Sequence, residues 1–119
     1  MNYDLGLNDR PFKAIKDGTK KIEGRFPKSD SDNTYDHMGN GDTLTFTNNT
    51  TGEKLVCIVL SVTKYPDVKS MLEAEGTKNV LSSGLDIEGG IQSYNSFEGY
   101  EKNIKKFGIY AIAVNPVKS

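Results

Sequence analysis

Asp42-Thr43-Leu44-Thr45-Phe46-Thr47-Asn48-Asn49-Thr50-Thr51-Gly52-Glu53-Lys54-Leu55-Val56-Cys57-Ile58-Val59-Leu60-Ser61-Val62 is the stretch on which the fold class turns. Thr43 to Thr47 alternates polar and apolar side chains, the period of a strand with one buried face. Asn48-Asn49-Thr50-Thr51-Gly52 is a dense turn signal. Lys54 to Val62 is rich in β-branched residues. Residues 42–62 therefore read as a β-hairpin with a loop of about five residues. A third unit of the same kind, Gly108 to Val114, reads as a buried strand ended by Asn115-Pro116.

Working outward, Tyr3 to Leu7 alternates as a short strand, and Asn8 is a good N-cap for a helix carrying Phe12, Ile15 and Lys16, closed by Gly18. Lys20 to Phe26 reads as extended, with Lys20, Ile22, Gly24 and Phe26 on one face and Lys21, Glu23 and Arg25 on the other. Pro27 to Asn40 is rich in Ser, Asp, Asn and Gly and reads as a surface loop. Beyond the hairpin the period becomes helical. Asp67 caps a helix with Val68, Met71 and Leu72, ended by Gly76. Val80-Leu81 makes a short turn before Gly84. Asp86 caps a helix from Ile87 to Tyr94, which Gly89-Gly90 weakens, and Ser96 caps another with Phe97, Tyr100 and Ile104 on one face. About five strands with helices between them make an α+β domain whose sheet is expected to curl or close.

The chain has 119 residues and a mass of 13.1 kDa, so residues 1–119 are expected to form a single domain. One cysteine, Cys57, excludes an intramolecular disulfide and any cysteine-based zinc site. One histidine, His37, excludes a multi-histidine metal site. No metal and no cofactor is therefore expected. The longest aliphatic run, Leu55 to Leu60, is too short to span a bilayer. The opening Met1-Asn2-Tyr3-Asp4 has neither a basic start nor an apolar stretch, and the expectation is a cytoplasmic protein without a membrane partner.

Fifteen basic and sixteen acidic residues give a net charge of −1, which argues against a broadly basic nucleic-acid binder. The charge is unevenly spread: residues 1–26 carry six basic and four acidic side chains, whereas residues 27–53 carry one lysine against five carboxylates.

Lys21, Glu23 and Arg25 on one strand face could wall a polar pocket, with Arg25 gripping a phosphate or a carbonyl edge. The alternative is a solvated face of compensating charges. The stretch from Tyr94 to Phe107 interleaves Tyr94, Phe97, Tyr100 and Phe107 with Lys102, Lys105 and Lys106. Such residues stack on single-stranded nucleotides, and at helical spacing they also build cores. Cys57 reads as a buried structural thiol, His37 as an exposed loop residue, and Glu73 and Glu75 as solvated helix residues. Gly39-Asn40-Gly41-Asp42 precedes a strand and lacks the Lys-Ser/Thr that a phosphate loop needs.

Taken in order, Pro11-Phe12-x-x-Ile15, Gly18-x-Lys20-x-x-Glu23-x-Arg25, Gly41-Asp42-x-Leu44-x-Phe46, Thr51-Gly52-Glu53, Tyr65-Pro66 and Gly108-Ile109-x-Ala111-Ile112 resemble the ASCH domain, a branch of the PUA-like superfamily. The resemblance covers almost the whole chain. It implies a small five- or six-stranded mixed β-barrel flanked by short helices, with a cleft lined by Lys20, Glu23 and Arg25. It further implies a role in RNA binding, with Lys20, Glu23 and Arg25 as the cleft residues; with Lys21 from the strand face and Tyr100 from the aromatic stretch, these are the candidates for binding single-stranded RNA or a nucleotide-like small molecule. One ASCH branch hydrolyses the amide of acetylcytidine with a threonine nucleophile, where this chain has Glu23, and with a glutamate for which Glu75 is the nearest candidate and Glu73 the next. Other relatives resemble ribonucleases. If the chain is an enzyme, Lys20, Glu23 and Glu75 are the candidate catalytic residues. Lys105-Lys106 stands where many relatives carry a glutamate, which favours an anionic ligand.

Overall fold

A computed structural model describes residues 1–97 and 99–117, with the side chain of residue 101 left aside. The elements in order are β1 (Asn2–Leu7), α1 (Asp9–Asp17), β2 (Ile22–Arg25), α2 (Thr34–His37), β3 (Thr43–Asn48), β4 (Lys54–Tyr65), α3 (Val68–Glu75), α4 (Thr77–Val80), α5 (Ile87–Asn95), α6 (Tyr100–Phe107) and β5 (Ile109–Pro116). The strands form one mixed five-stranded sheet in the order β1-β3-β4-β5-β2. β1 runs parallel to β3, and the other three pairings are antiparallel. The expected hairpin is present as β3 and β4, in register from Thr43 opposite Ile58 to Thr47 opposite Lys54. The sheet bends at a bulge between Val59 and Ser61, where β4 slips against β5, and bulges increase local twist. The sheet is a half-barrel whose two lateral strands are β1 and β2.

Apolar alternation explains where the core divides. Tyr110, Ile112 and Val114 of β5 face a cluster built from Phe12 and Ile15 of α1, Leu44 and Phe46 of β3, and Cys57 and Val59 of β4. Ile109 and Ala111 face the opposite way, onto Met71 and Leu72 of α3 and Tyr94, Tyr100 and Ile104 of the last two helices. A strand covered on both faces reads as a near-continuous apolar run, as Ile109 to Val114 does.

Three expectations need correction. β2 starts at Ile22 and not at Lys20, because the Lys20 amide donates to the Ala14 carbonyl at 3.0 Å and the Lys21 amide to that of Asn79 at 2.9 Å, outside the ladder. The segment from Pro27 to Asn40 contains the short helix α2, which seats Tyr35 in the core. Ser96 ends α5 instead of opening the next helix; its amide donates back to Gln92 and Ser93, and α6 begins after Gly99. Asp86 caps α5 as expected, accepting the Gly89 amide at 2.8 Å.

Gly108 joins α6 to β5 with φ +77°, and a Cβ there would lie 2.5 Å from the Tyr65 carbonyl oxygen. Both the backbone conformation and the space exclude a side chain. Gly108→Ala is expected to lower unfolding free energy by about 2 kcal/mol or more, read as the urea midpoint at unchanged slope.

Candidate functional site

The start of β2 after residue 21 removes Lys20 from the strand's alternation and lets it meet Glu23. The Lys20 ammonium is buried, 4% exposed. It donates to the Ile22 carbonyl at 2.5 Å and to the Val80 carbonyl, and it pairs with Glu23 Oε1 at 3.3 Å. All three of its donors therefore have acceptors. Glu23 Oε2 accepts the Arg25 Nε proton at 2.7 Å. Arg25 Nη2 then reaches across to the Gly6 carbonyl of β1 at 2.6 Å. The chain Lys20–Glu23–Arg25 thus ties α4 to β2, and β2 to the far lateral strand of the half-barrel.

Electrostatics in this row follow from burial and pairing. Burial opposes charge on Glu23, but Lys20 and Arg25 override it and hold the carboxyl below its ordinary range. Burial pulls the Lys20 ammonium down against the opposing pull of Glu23. Burial likewise acts to lower the Arg25 guanidinium, and Glu23 outweighs it, so Arg25 stays charged. Two of the five guanidinium N–H donors are spent on Glu23 and Gly6.

Around this row lies a cleft of about 960 Å³. Asn8 and Arg10 border it at the start of α1, Glu23 to Phe26 along β2, and Val80 to Ser83 after α4. Lys28 and Tyr35 bring the segment from Pro27 to Asn40 to its wall. Burial pushes the Tyr35 hydroxyl up, and Arg25 pulls it back. Tyr94 and Phe97 close the remaining side. Gly24 makes the approach of Tyr94 possible: a Cβ at residue 24 would lie 2.3 Å from the Tyr94 hydroxyl.

Of the residues singled out from sequence, Lys20, Glu23 and Arg25 meet at one cleft. Lys21 does not; its side chain is exposed, while its backbone carbonyl accepts from the Val114 amide at 3.0 Å. Tyr100 lies in the second core cluster, 6% exposed, against Phe26 and Tyr94, and does not line the cleft. Its neighbours Tyr94 and Phe97 do, and Phe97 is 52% exposed there. The aromatic clustering was the signal for them. Glu75 accepts the Tyr65 hydroxyl proton away from the cleft, which pushes Tyr65 up to about 12. His37 is exposed on α2, and burial pushes the Cys57 thiol up to about 11. No group of metal-ligating side chains exists among the described residues. Arg10 and Lys28 carried no sequence signal of their own.

A family model described as the ASCH domain matches residues 5–118. The chain belongs to the ASCH family. The crystal structure of a hypothetical protein is similar to this ASCH chain at 34% identity and a TM-score of 0.81, covering 98% of this chain and 100% of the other. The solution NMR structure of a protein from Pyrococcus furiosus is similar at 35% identity and a TM-score of 0.77, with both chains fully covered. No curated protein matches the chain. No helix among the described residues is long and apolar enough to cross a membrane.

The lowered Glu23 carboxyl gives a signed pH dependence. Its folded value lies below the ordinary carboxylate value of 4.5, so its contribution is full above that pH and is lost as pH falls through the folded value. Urea unfolding between about pH 6 and about pH 3 is expected to show a steeper acid loss for wild type than for Glu23→Gln. Glu23→Gln should already be weakened near neutrality by roughly 2–4 kcal/mol, because it leaves Lys20 buried without its counter-charge.

Proposed function

We propose that this ASCH domain binds single-stranded RNA, or a single nucleotide, in the cleft beside Arg25. The supporting observation is local charge. In a chain of net charge −1, the described residues lining the cleft include the cations Arg10, Lys20, Arg25 and Lys28 and one carboxylate, Glu23. Lys20 neutralises Glu23, which leaves Arg25, Arg10 and Lys28 as the field an anion meets. Arg25 is prealigned by Glu23 and offers its remaining N–H groups to a phosphate or a base carbonyl. The exposed ring of Phe97 supplies a stacking face, the role that Tyr100, buried in the core, cannot take. A volume of about 960 Å³ is in the range of small-ligand sites and has room for one nucleotide.

Binding is favoured over hydrolysis of a nucleoside amide or of RNA. Lys20 has no donor left for a substrate, Glu23 is ionised and paired on both oxygens, and Glu75 is engaged with Tyr65. A general base must stand within reach of the proton it takes; Glu75 does not line the cleft, and Glu23 is held between two cations that lower its basicity.

Arg10→Ala and Phe97→Ala change exposed side chains and should fold as wild type. Fluorescence anisotropy with a short single-stranded RNA is expected to show each weakening affinity by about 1–2 kcal/mol. Arg10→Ala should also flatten the salt slope by roughly 0.7 for each phosphate it no longer neutralises. Absence of binding by wild type to both RNA and nucleoside monophosphates at low salt would sink the proposal.

A further inference from the structure

Tyr94 is 8% exposed, and its ring is packed between Phe97 and Tyr100 at centroid distances of 6.1 and 5.9 Å. Its hydroxyl sits in the notch left by Gly24, on the strand that carries Glu23 and Arg25. It makes no hydrogen bond among the described residues, whereas the phenol of the buried Tyr110 donates to Asp36 at 2.5 Å and that of the half-buried Tyr65 to Glu75. No fully buried polar side-chain atom among those residues lacks a partner, so the Tyr94 hydroxyl is the part of the ring reached from the cleft it lines. A phenol so deeply packed, with its polar tip unpartnered and open to a cleft, is arranged to meet a group that arrives from outside.

Resting on the nucleotide reading above, we propose that the Tyr94 hydroxyl donates a hydrogen bond to a carbonyl oxygen on the base of the bound nucleotide, so that the cleft prefers carbonyl-bearing bases to adenine. The chemistry of the neighbouring groups selects a donor role. Each Glu23 oxygen is already engaged by a cation, and Arg25 beside it contributes only donors. A carbonyl oxygen carries two lone pairs and satisfies two donors at once; adenine has no carbonyl. Burial first, and then the Glu23 charge, keep the phenol protonated well beyond neutral pH, as a donor must be. Discrimination of this kind arises because a donor left unpartnered in a closed site penalises the wrong base.

Titration of wild type and Tyr94→Phe with uridine, guanosine and adenosine monophosphates separates base from phosphate and ribose. Wild type should bind the uridine and guanosine nucleotides about tenfold more tightly than the adenosine nucleotide. Tyr94→Phe should erase that gap by weakening the first two, with adenosine monophosphate unchanged. Its melting temperature without ligand should not fall, since the phenol gives up no intramolecular hydrogen bond. Wild-type binding to all three that Tyr94→Phe leaves unaltered would overturn the donor role alone. A preference for adenosine monophosphate, or a ligand-free melting loss of several degrees in Tyr94→Phe, would overturn it as well. Failure of wild type to bind any of the three would remove the nucleotide reading and this inference with it.

Discussion

The buried Lys20 ammonium is the constraint around which the rest is arranged. A cation removed from water must find acceptors in every direction, and here they come from three places: the Ile22 carbonyl, the Val80 carbonyl and Glu23. Each acceptor fixes something else. Val80 anchors α4 and the residues after it, which border the cleft. Glu23, held ionised, orients Arg25. Arg25 then spans from β2 to β1. One desolvated charge thus sets the position of two walls of the cleft and the direction of the Arg25 guanidinium between them. Buried ion pairs add little net stability over apolar packing, so this row is better understood as a positioning device than as a source of stability.

That division of labour sorts the charged residues of the chain. Lys20 and Glu23 are satisfied within the protein, whereas Arg25 retains donors, and Arg10 and Lys28 have open surroundings at the cleft. A near-zero net charge therefore coexists with a cationic pocket. In the acidic stretch from Asp30 to Asp42, Asp32 and Asp42 accept from their own loop amides, Asp30 pairs with Lys106, and Asp42 pairs with the chain's N-terminal ammonium.

Much of this was legible in the residues. Alternation in Thr43–Thr47 and the Asn48–Gly52 turn specify the hairpin, and the unbroken apolar run of β5 marks a strand covered on both sides. Asp67 and Asp86 do cap the helices that follow them. What period-2 patterning could not supply was the strand's first residue. Lys20 sits two positions before β2; its amide donates to Ala14, and the Lys21 amide donates to Asn79, nearly sixty positions away. Nor could composition choose among Tyr94, Phe97 and Tyr100. All three lie in one aromatic stretch, and the end of α5 at Ser96 turns Phe97 outward while Tyr100 packs inward.

The place of β5 in the sheet bears on how the molecule assembles. Among the described residues β2 pairs with no strand but β5, Glu23 lying opposite Ile112, so the two are roughly 90 positions apart in the chain. β1, β3 and β4 can pair among themselves as soon as the hairpin exists. β2 has no ladder to join until β5 has been synthesised, and until then the Glu23 carboxylate has no sheet on which to hold Arg25. The wall of the cleft that β2 forms accordingly depends on the last strand of the sheet, and a nascent chain lacking β5 would carry the charged motif without the ladder that positions it.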